Sequence, residues 1–159
     1  MKDSSNFSAA ERVESLKAGS VAALSCLLAF GAIALGNSLI LADWFDSLAS
    51  LQVREIDLNF ALRGTIALLG GFLFGVTYRY AIRRDVNPQL KSGAVLAFGL
   101  VRAFGQLDAG LFFESGKMPA LEELLPFAVG GVESVVLFAI AGLVLDWAIG
   151  RSWIKPFDS

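Results

Sequence analysis

The chain contains no histidine and only one cysteine among its 159 residues. Without histidine there can be no His-ligated haem, no His-based zinc site and no catalytic triad that uses an imidazole. The single cysteine, Cys26, cannot form an intrachain disulfide or a multi-thiolate metal site, and we expect it to pack as a small apolar residue. Phosphate-binding loops, nucleophile elbows and metal-ligand spacings are also missing. The sequence therefore predicts no cofactor and no enzymatic activity.

Charged residues are scarce as well, at 18% of the chain, whereas 55% of the residues are hydrophobic and the mean hydropathy is +0.63. The net charge of -2 provides no basic field that would favour nucleic acid. A soluble domain of this length would carry more charge and fewer apolar residues. The composition therefore indicates an integral membrane protein, whose first partner is the lipid bilayer.

Four long apolar runs divide the chain, and the first, residues 18–42, has no charged residue at all. At about 1.5 Å per residue such a run exceeds a hydrocarbon core of about 30 Å. Backbone groups cannot stay unpaired in lipid, and uninterrupted apolar runs favour helices over a closed barrel. We predict an all-α polytopic bundle of four transmembrane helices. Its parts are a polar arm at 1–17, a membrane domain at 18–150 with spans at 18–42, 59–82, 91–113 and 125–149, and a polar tail at 151–159.

Lysine and arginine gather on one side of this predicted bundle. The arm, the connection between the second and third spans and the tail hold most of them, whereas the two opposite loops hold only Arg54 and Lys117. Because positively charged loops remain on the cytoplasmic side, both ends of the chain are predicted to face the cytoplasm or the plastid stroma. In the two outer loops, residues 44–51 and 120–123 have the patterns of short helices that lie at the interface.

Five of the polar residues inside the predicted spans form a candidate polar seam, because charged side chains at this depth are costly unless they are paired or hydrated. Counting residues from the connecting loop places Arg102 and Glu133 at about one depth, within reach if they face each other. The same count pairs Arg63 with Asp108 nearer the outer surface, and Gln106 lies one turn after Arg102. This seam could fix the helix register, which we favour, or line a path for an ion or proton, or hold a polar ligand.

Small residues recur at helical spacing within the spans. Such residues let helix backbones approach closely, within one bundle or in an oligomer, and we favour packing within the bundle. The glycines concerned are Gly70, Gly71 and Gly75 in the second span and Gly130 and Gly131 in the fourth.

Residues 78–108, which read YRYAIRRDVNPQLKSGAVLAFGLVRAFGQLD, resemble a family of small multi-span thylakoid membrane proteins of cyanobacteria and chloroplasts whose biochemical role is poorly defined. The resemblance implies a thylakoid location and carries over no functional residue. Physically, the stretch is a basic inner loop that leads into a polar helix. Its cations either set the topology or bind anionic headgroups or an acidic partner. They are Arg79, Arg83, Arg84 and Lys91.

Three functions remain open from the sequence. We favour a non-enzymatic accessory or assembly factor beside a larger membrane complex, which the resemblance implies is photosynthetic, with self-association as the other kind of contact. The second is a small transporter or channel with a polar path lined by Arg102, Gln106, Asp108 and Glu133. The third is a carrier or enzyme for a lipid or pigment bound between helices. The expected location is the thylakoid membrane, or otherwise a bacterial inner membrane.

Overall fold

The computed structural model describes residues 9–41, 56–83, 87–113 and 121–157, and these residues form four long helices. The helices are α1 (Ala9–Gly36), α2 (Leu58–Ile82), α3 (Pro88–Phe113) and α4 (Leu121–Gly150), and α1 continues into a π-helical segment (Asn37–Leu41). The described residues include no strand. The prediction of an all-α protein is therefore confirmed.

Three of the four helices, α1, α2 and α4, are long and apolar enough to cross a membrane. This confirms that the chain is compatible with a multi-pass membrane protein. The third helix, α3, is 26 residues long but carries Arg102, Gln106 and Asp108 in its second half. Over its described residues α3 does not reach the apolarity of the other three.

Two helix boundaries differ from the predicted ones. The first helix begins at Ala9, so much of the predicted polar arm is helical. The last helix begins at Leu121, so residues 121–123 are its first turn and the prediction of a separate short helix there is wrong. No helix breaker separates Glu123 from Leu124, and extending a helix costs less than starting a new one. The other predicted short helix, residues 44–51, lies outside the described residues.

The start of α2 is capped by Asp57. The backbone N–H of Phe60 donates a hydrogen bond of 2.8 Å to the Asp57 carboxylate. This bond favours the charged form and lowers the pKa of Asp57. A carboxylate at this position also interacts favourably with the helix dipole.

The helices pack as two antiparallel pairs, α1 with α2 and α3 with α4, and α1 also packs against α4. One end of the bundle, which we call the terminal end, comprises the start of α1, the end of α2, the start of α3, the end of α4 and the segment that follows α4. In the core, the Phe74 ring lies 5.2 Å from that of Phe138 and 5.4 Å from that of Phe98. One aromatic side chain thus joins α2, α3 and α4.

The glycines differ in how close a neighbouring helix comes. A methyl group at Gly71 would lie 2.8 Å from the carbonyl oxygen of Ala22, and one at Gly75 would collide with the carbonyl of Ala18. At Gly70 the nearest atom would be a ring carbon of Phe138 at 3.5 Å, an ordinary contact. Gly131 also has room, with its nearest atom at 3.6 Å, whereas at Gly130 the side-chain oxygen of Gln106, at 3.3 Å, would have to shift slightly. The close approach of α1 to α2 therefore depends on Gly71 and Gly75.

Replacing Gly71 with alanine should destabilise the bundle, because a backbone carbonyl cannot move aside without displacing α1. We expect a loss of roughly 1–3 kcal/mol, as for other overpacked interiors. Gly70→Ala is the matched control, because both substitutions gain about the same helix propensity and only one creates a clash. Thermal unfolding in detergent measures the difference, and equal stability of the two variants would contradict the close approach.

Candidate functional site

The predicted pairing of Arg102 with Glu133 is wrong, although the two residues do lie at one level. Gly99 packs against Val135 and Ala103 against Gly131, so Arg102 on α3 is level with Glu133 on α4. Glu133 is two residues from both Gly131 and Val135, which is about 200° around the helix from each. It therefore points to the other flank of α4, and its Oε1 atom is buried with no hydrogen-bond partner among residues 9–41, 56–83, 87–113 and 121–157.

Arg102 faces the interior on the α3 side of α4. It lies one turn after Phe98, whose ring packs against Phe138, and it is partly buried. Its electrostatic neighbours are Cys26 on α1 and Arg63 on α2. Within the described residues it forms no ion pair.

The second predicted pair is not formed either. Arg63 and Asp108 are both exposed, and no ion pair joins them in the part of the chain that the structure describes. The side-chain oxygen of Gln106 lies near Gly130 on α4. The five residues of the predicted seam therefore do not line one continuous surface.

Glu133 instead borders a groove between the end of α1 and α4, which we call the Glu133 groove. The side-chain amide of Asn37, itself buried, donates a hydrogen bond to the Glu133 carboxyl. The groove has a volume of about 530 Å³ and is open on one side. Its lining residues are Ile33, Gly36, Asn37, Ile40, Ala128, Val129, Val132 and Glu133. Apart from the amide and the carboxyl, every lining residue is apolar or glycine.

Asn37 is the first residue of the π-helical segment that ends α1. A π-turn widens the helix and redirects its side chains, and such turns are frequent at functional sites. The hydroxyl of Ser38 donates to the carbonyl of Ala34 at 2.9 Å, a bond that accommodates a bend in the helix. The helix is thus distorted at the point where the side-chain amide of Asn37 is directed towards α4.

A different polar cluster closes the terminal end, and we call it the terminal clamp: Glu11, Ser15, Arg79 and Lys155. The Arg79 side chain has no exposed surface. It donates to the Glu11 carboxylate at 2.5 Å, to Ser15 Oγ at 2.8 Å and, through Nε, to the Lys155 carbonyl at 2.8 Å. The clamp joins α1, α2 and the segment after α4.

The segment after α4 is folded against the bundle. The N–H of Ser152 donates to Ile149 and that of Trp153 to Ala148, with Ser152 in the left-handed region at φ 59°. This is the Schellman pattern that terminates helices and reverses the chain. Ile154 is then only 1% exposed. The predicted polar tail is therefore a packed part of the terminal end.

A second cluster at the same end joins the other helices. Asp146 on α4 accepts a hydrogen bond of 3.0 Å from Tyr78 on α2 and forms an ion pair of 2.8 Å with Lys91 on α3. Together with the terminal clamp, it links all four helices through polar contacts near one level.

These contacts change the role of the predicted basic loop. Arg79 is buried and bound within the bundle, so of the two alternatives left open for this loop, binding of a lipid or partner does not apply to Arg79. Lys91 is engaged by Asp146, and Arg83 lies 5.7 Å from the ring centre of Phe157. Arg84 lies outside the described residues. One feature of the sequence indicates this buried role. Arg79 stands between two tyrosines at the end of a predicted span, at the same depth as the acidic start of α1.

Comparisons with protein-family models, with curated proteins and with solved structures find no match for this chain.

Replacing Arg79 with alanine should loosen the terminal end, because the Lys155 carbonyl and Ser15 lose a donor and Glu11 loses its counter-charge. Hydrogen bonds to charged groups contribute roughly 1.5–3 kcal/mol, and we expect a loss of unfolding free energy in that range. Arg12→Ala is the control, because Arg12 is exposed on the first turns of α1.

The measurements are detergent unfolding and the rate at which a protease cleaves the segment after Gly150. Arg79→Ala should accelerate cleavage and Arg12→Ala should not. Equal cleavage rates in the two variants would show that the clamp does not hold the segment.

Proposed function

We propose that the chain is a non-enzymatic, four-span membrane protein that acts as an accessory factor of a larger membrane complex, with both ends on the cytoplasmic or stromal side. The observation that carries the accessory role is an uncovered stripe on α3, described below. The resemblance of residues 78–108 to the thylakoid family supports a photosynthetic membrane as the location.

The packing of α3 supports it as a fourth span. The Lys91–Asp146 ion pair, the contact of Val95 with Gly142 and the contact of Gln106 with Gly130 follow one another along the two helices. Because α3 lies beside α4 along this length, it extends through the same depth of the bilayer as α4. Its least apolar residue, Arg102, faces the bundle, which favours this placement in lipid.

The terminal end has the features of a membrane boundary. Trp147 and Trp153 are 50% and 65% exposed, their ring centres are 4.9 Å apart, and Arg151 lies 5.4 Å from the Trp147 ring centre. Exposed tryptophans collect at the headgroup level. With the excess of lysine and arginine at this end, they support a cytoplasmic or stromal terminal end.

The uncovered stripe on α3 consists of Val101, Phe104, Gly105 and Asp108, which recur at i, i+3, i+4 and i+7. Val101 and Phe104 are 73% and 63% exposed, and nothing lies within 4 Å of a methyl group at Gly105. Asp108 is exposed and forms no ion pair with another described residue. A carboxylate on an apolar, small-residue stripe fits a transmembrane helix of another protein that brings a basic residue to Asp108.

A conducting path has less support. Such a path requires its polar residues to face one cavity, whereas Arg102 and Glu133 point to opposite flanks of α4 and Asp108 lies on the outward stripe. We therefore favour the accessory role over transport.

Cysteine labelling in bacterial spheroplasts tests the topology, because the native Cys26 is fully buried and gives little background. Single cysteines at Ile56 and Lys117 should react with a membrane-impermeant maleimide from outside. Cysteines at Arg12 and Gln89 should react only after the membrane is opened. A cysteine at Lys117 that reacts only from the cytoplasmic side would show that α3 does not cross.

Photo-cross-linking in native membranes tests the accessory role. A benzophenone maleimide attached to Val101→Cys should yield an adduct with a subunit of a photosynthetic complex, identified by mass spectrometry, and the protein should co-migrate with that complex on a native gel. Adding Asp108→Lys should reduce the adduct, because it places like charges together. The control is Leu143→Cys on α4, which is similarly exposed at 69%. An adduct of the chain with itself alone, or equal adducts from both positions, would refute the proposal.

A further inference from the structure

We propose that the Glu133 groove is a binding site for a neutral lipophilic alcohol, that is, a membrane-soluble molecule whose hydroxyl group is attached to a hydrocarbon chain or ring. The site goes beyond the accessory role, since it is formed by α1 and α4 and shares no residue with the α3 stripe. The two proposals can fail separately.

The first ground is an unsatisfied polar atom. Glu133 Oε1 is buried and accepts no hydrogen bond from any described residue, although the Asn37 amide bonds to the same carboxyl. Buried polar atoms are nearly always paired, and exceptions need an explanation. Bulk water is absent from the hydrocarbon core of a bilayer and cannot donate a hydrogen bond to this oxygen. A ligand that donates a polar hydrogen is therefore favoured there.

The second ground is the shape and lining of the groove. Its volume of about 530 Å³ lies within the usual range of small-molecule sites, roughly 300–1,000 Å³. Ile33, Ile40, Val129 and Val132 supply apolar walls, while nothing lies within 4 Å of a methyl group at Gly36. Mostly apolar walls with one convergent polar pair are typical of sites that orient a lipophilic ligand.

The third ground identifies the polar group of the ligand. A hydroxyl can donate to a carboxylate oxygen and can also accept from a protonated carboxyl, so it suits Glu133 in either state. A cationic amine would require an ionised carboxylate at membrane depth, and a carboxylic acid would place two acidic groups together. Among described cations, Arg102 points to the other flank of α4, while Lys91 is engaged by Asp146. A neutral hydroxyl is therefore the best match.

The test uses the purified full-length chain in nanodiscs and a long-chain alcohol that carries a photoactivatable diazirine and an alkyne. The methyl ether of the same probe lacks the polar hydrogen. After irradiation, mass spectrometry should locate the label in peptides that contain residues 33–40 and 128–133. The alcohol should label these peptides roughly tenfold more strongly than the ether at limiting concentration, the equivalent of one well-formed hydrogen bond.

Variants separate the hydrogen bond from the shape of the groove. Glu133→Leu should lower labelling by the alcohol to the level of the ether, whereas Glu133→Gln retains an acceptor oxygen and should keep most of it. Gly36→Leu should abolish labelling by both probes, because its side chain fills the groove. Gly93→Leu is the matched control, since Gly93 is also a helical glycine with nothing within 4 Å.

Several results would overturn the proposal. They are equal labelling by alcohol and ether, labelling unchanged by Glu133→Leu or Gly36→Leu, label located outside the groove peptides, or an amine analogue that competes better than the alcohol. Thermal unfolding of each variant in the same nanodiscs identifies any that fail to fold. If Glu133→Leu or Gly36→Leu fails to fold, the ratio of alcohol to ether labelling and the position of the label in the unsubstituted chain decide the outcome.

Discussion

The buried guanidinium of Arg79 joins three parts of the chain that are distant in sequence: the first turns of α1, the end of α2 and the segment after α4. A cation without exposed surface is tolerated only when its donors meet oxygen atoms, and each of those oxygens must therefore be held in place. Once the ends of α1 and α2 are joined, their small residues come into register. Gly71 and Gly75 then face the carbonyls of α1, and the aromatic core around Phe74 closes against α3 and α4.

The helices themselves were predictable from the sequence because lipid leaves the backbone no other way to pair its polar groups. The predicted spans at 59–82 and 125–149 lie within α2 and α4. Hydropathy was less informative at the helix ends, because a helix can extend through polar residues beyond its apolar run. Glu11 and Ser15 find them in Arg79, so α1 begins well before its apolar run.

Only part of the candidate site could be predicted from the sequence. Counting residues gives the depth of a side chain in the membrane but not the direction in which it points. Arg102 and Glu133 are level, as predicted, yet they face opposite flanks of α4. The direction depends on which flank a neighbouring helix occupies. A signal was present in Gly131, Val135, Phe138 and Gly142, whose spacing forms a stripe that faces α3 and leaves Glu133 outside it. Arg79 is a related case, because its position in the sequence indicates a loop cation and does not show that Glu11 on α1 lies beside it.

Within the part of the chain that the structure describes, the two ends of the bundle differ in how fully their polar groups are satisfied. At the terminal end, Asp146 is shared by Tyr78 and Lys91, and the Arg79 donors meet four side-chain and backbone oxygen atoms. In the other half, a Glu133 oxygen has no donor within the described residues. The polar groups described at the terminal end are well paired. The unpaired oxygen of Glu133 therefore indicates that this carboxyl has another role. Departures from internal consistency concentrate at functional sites, so the less satisfied half is where ligands and partners are expected to bind.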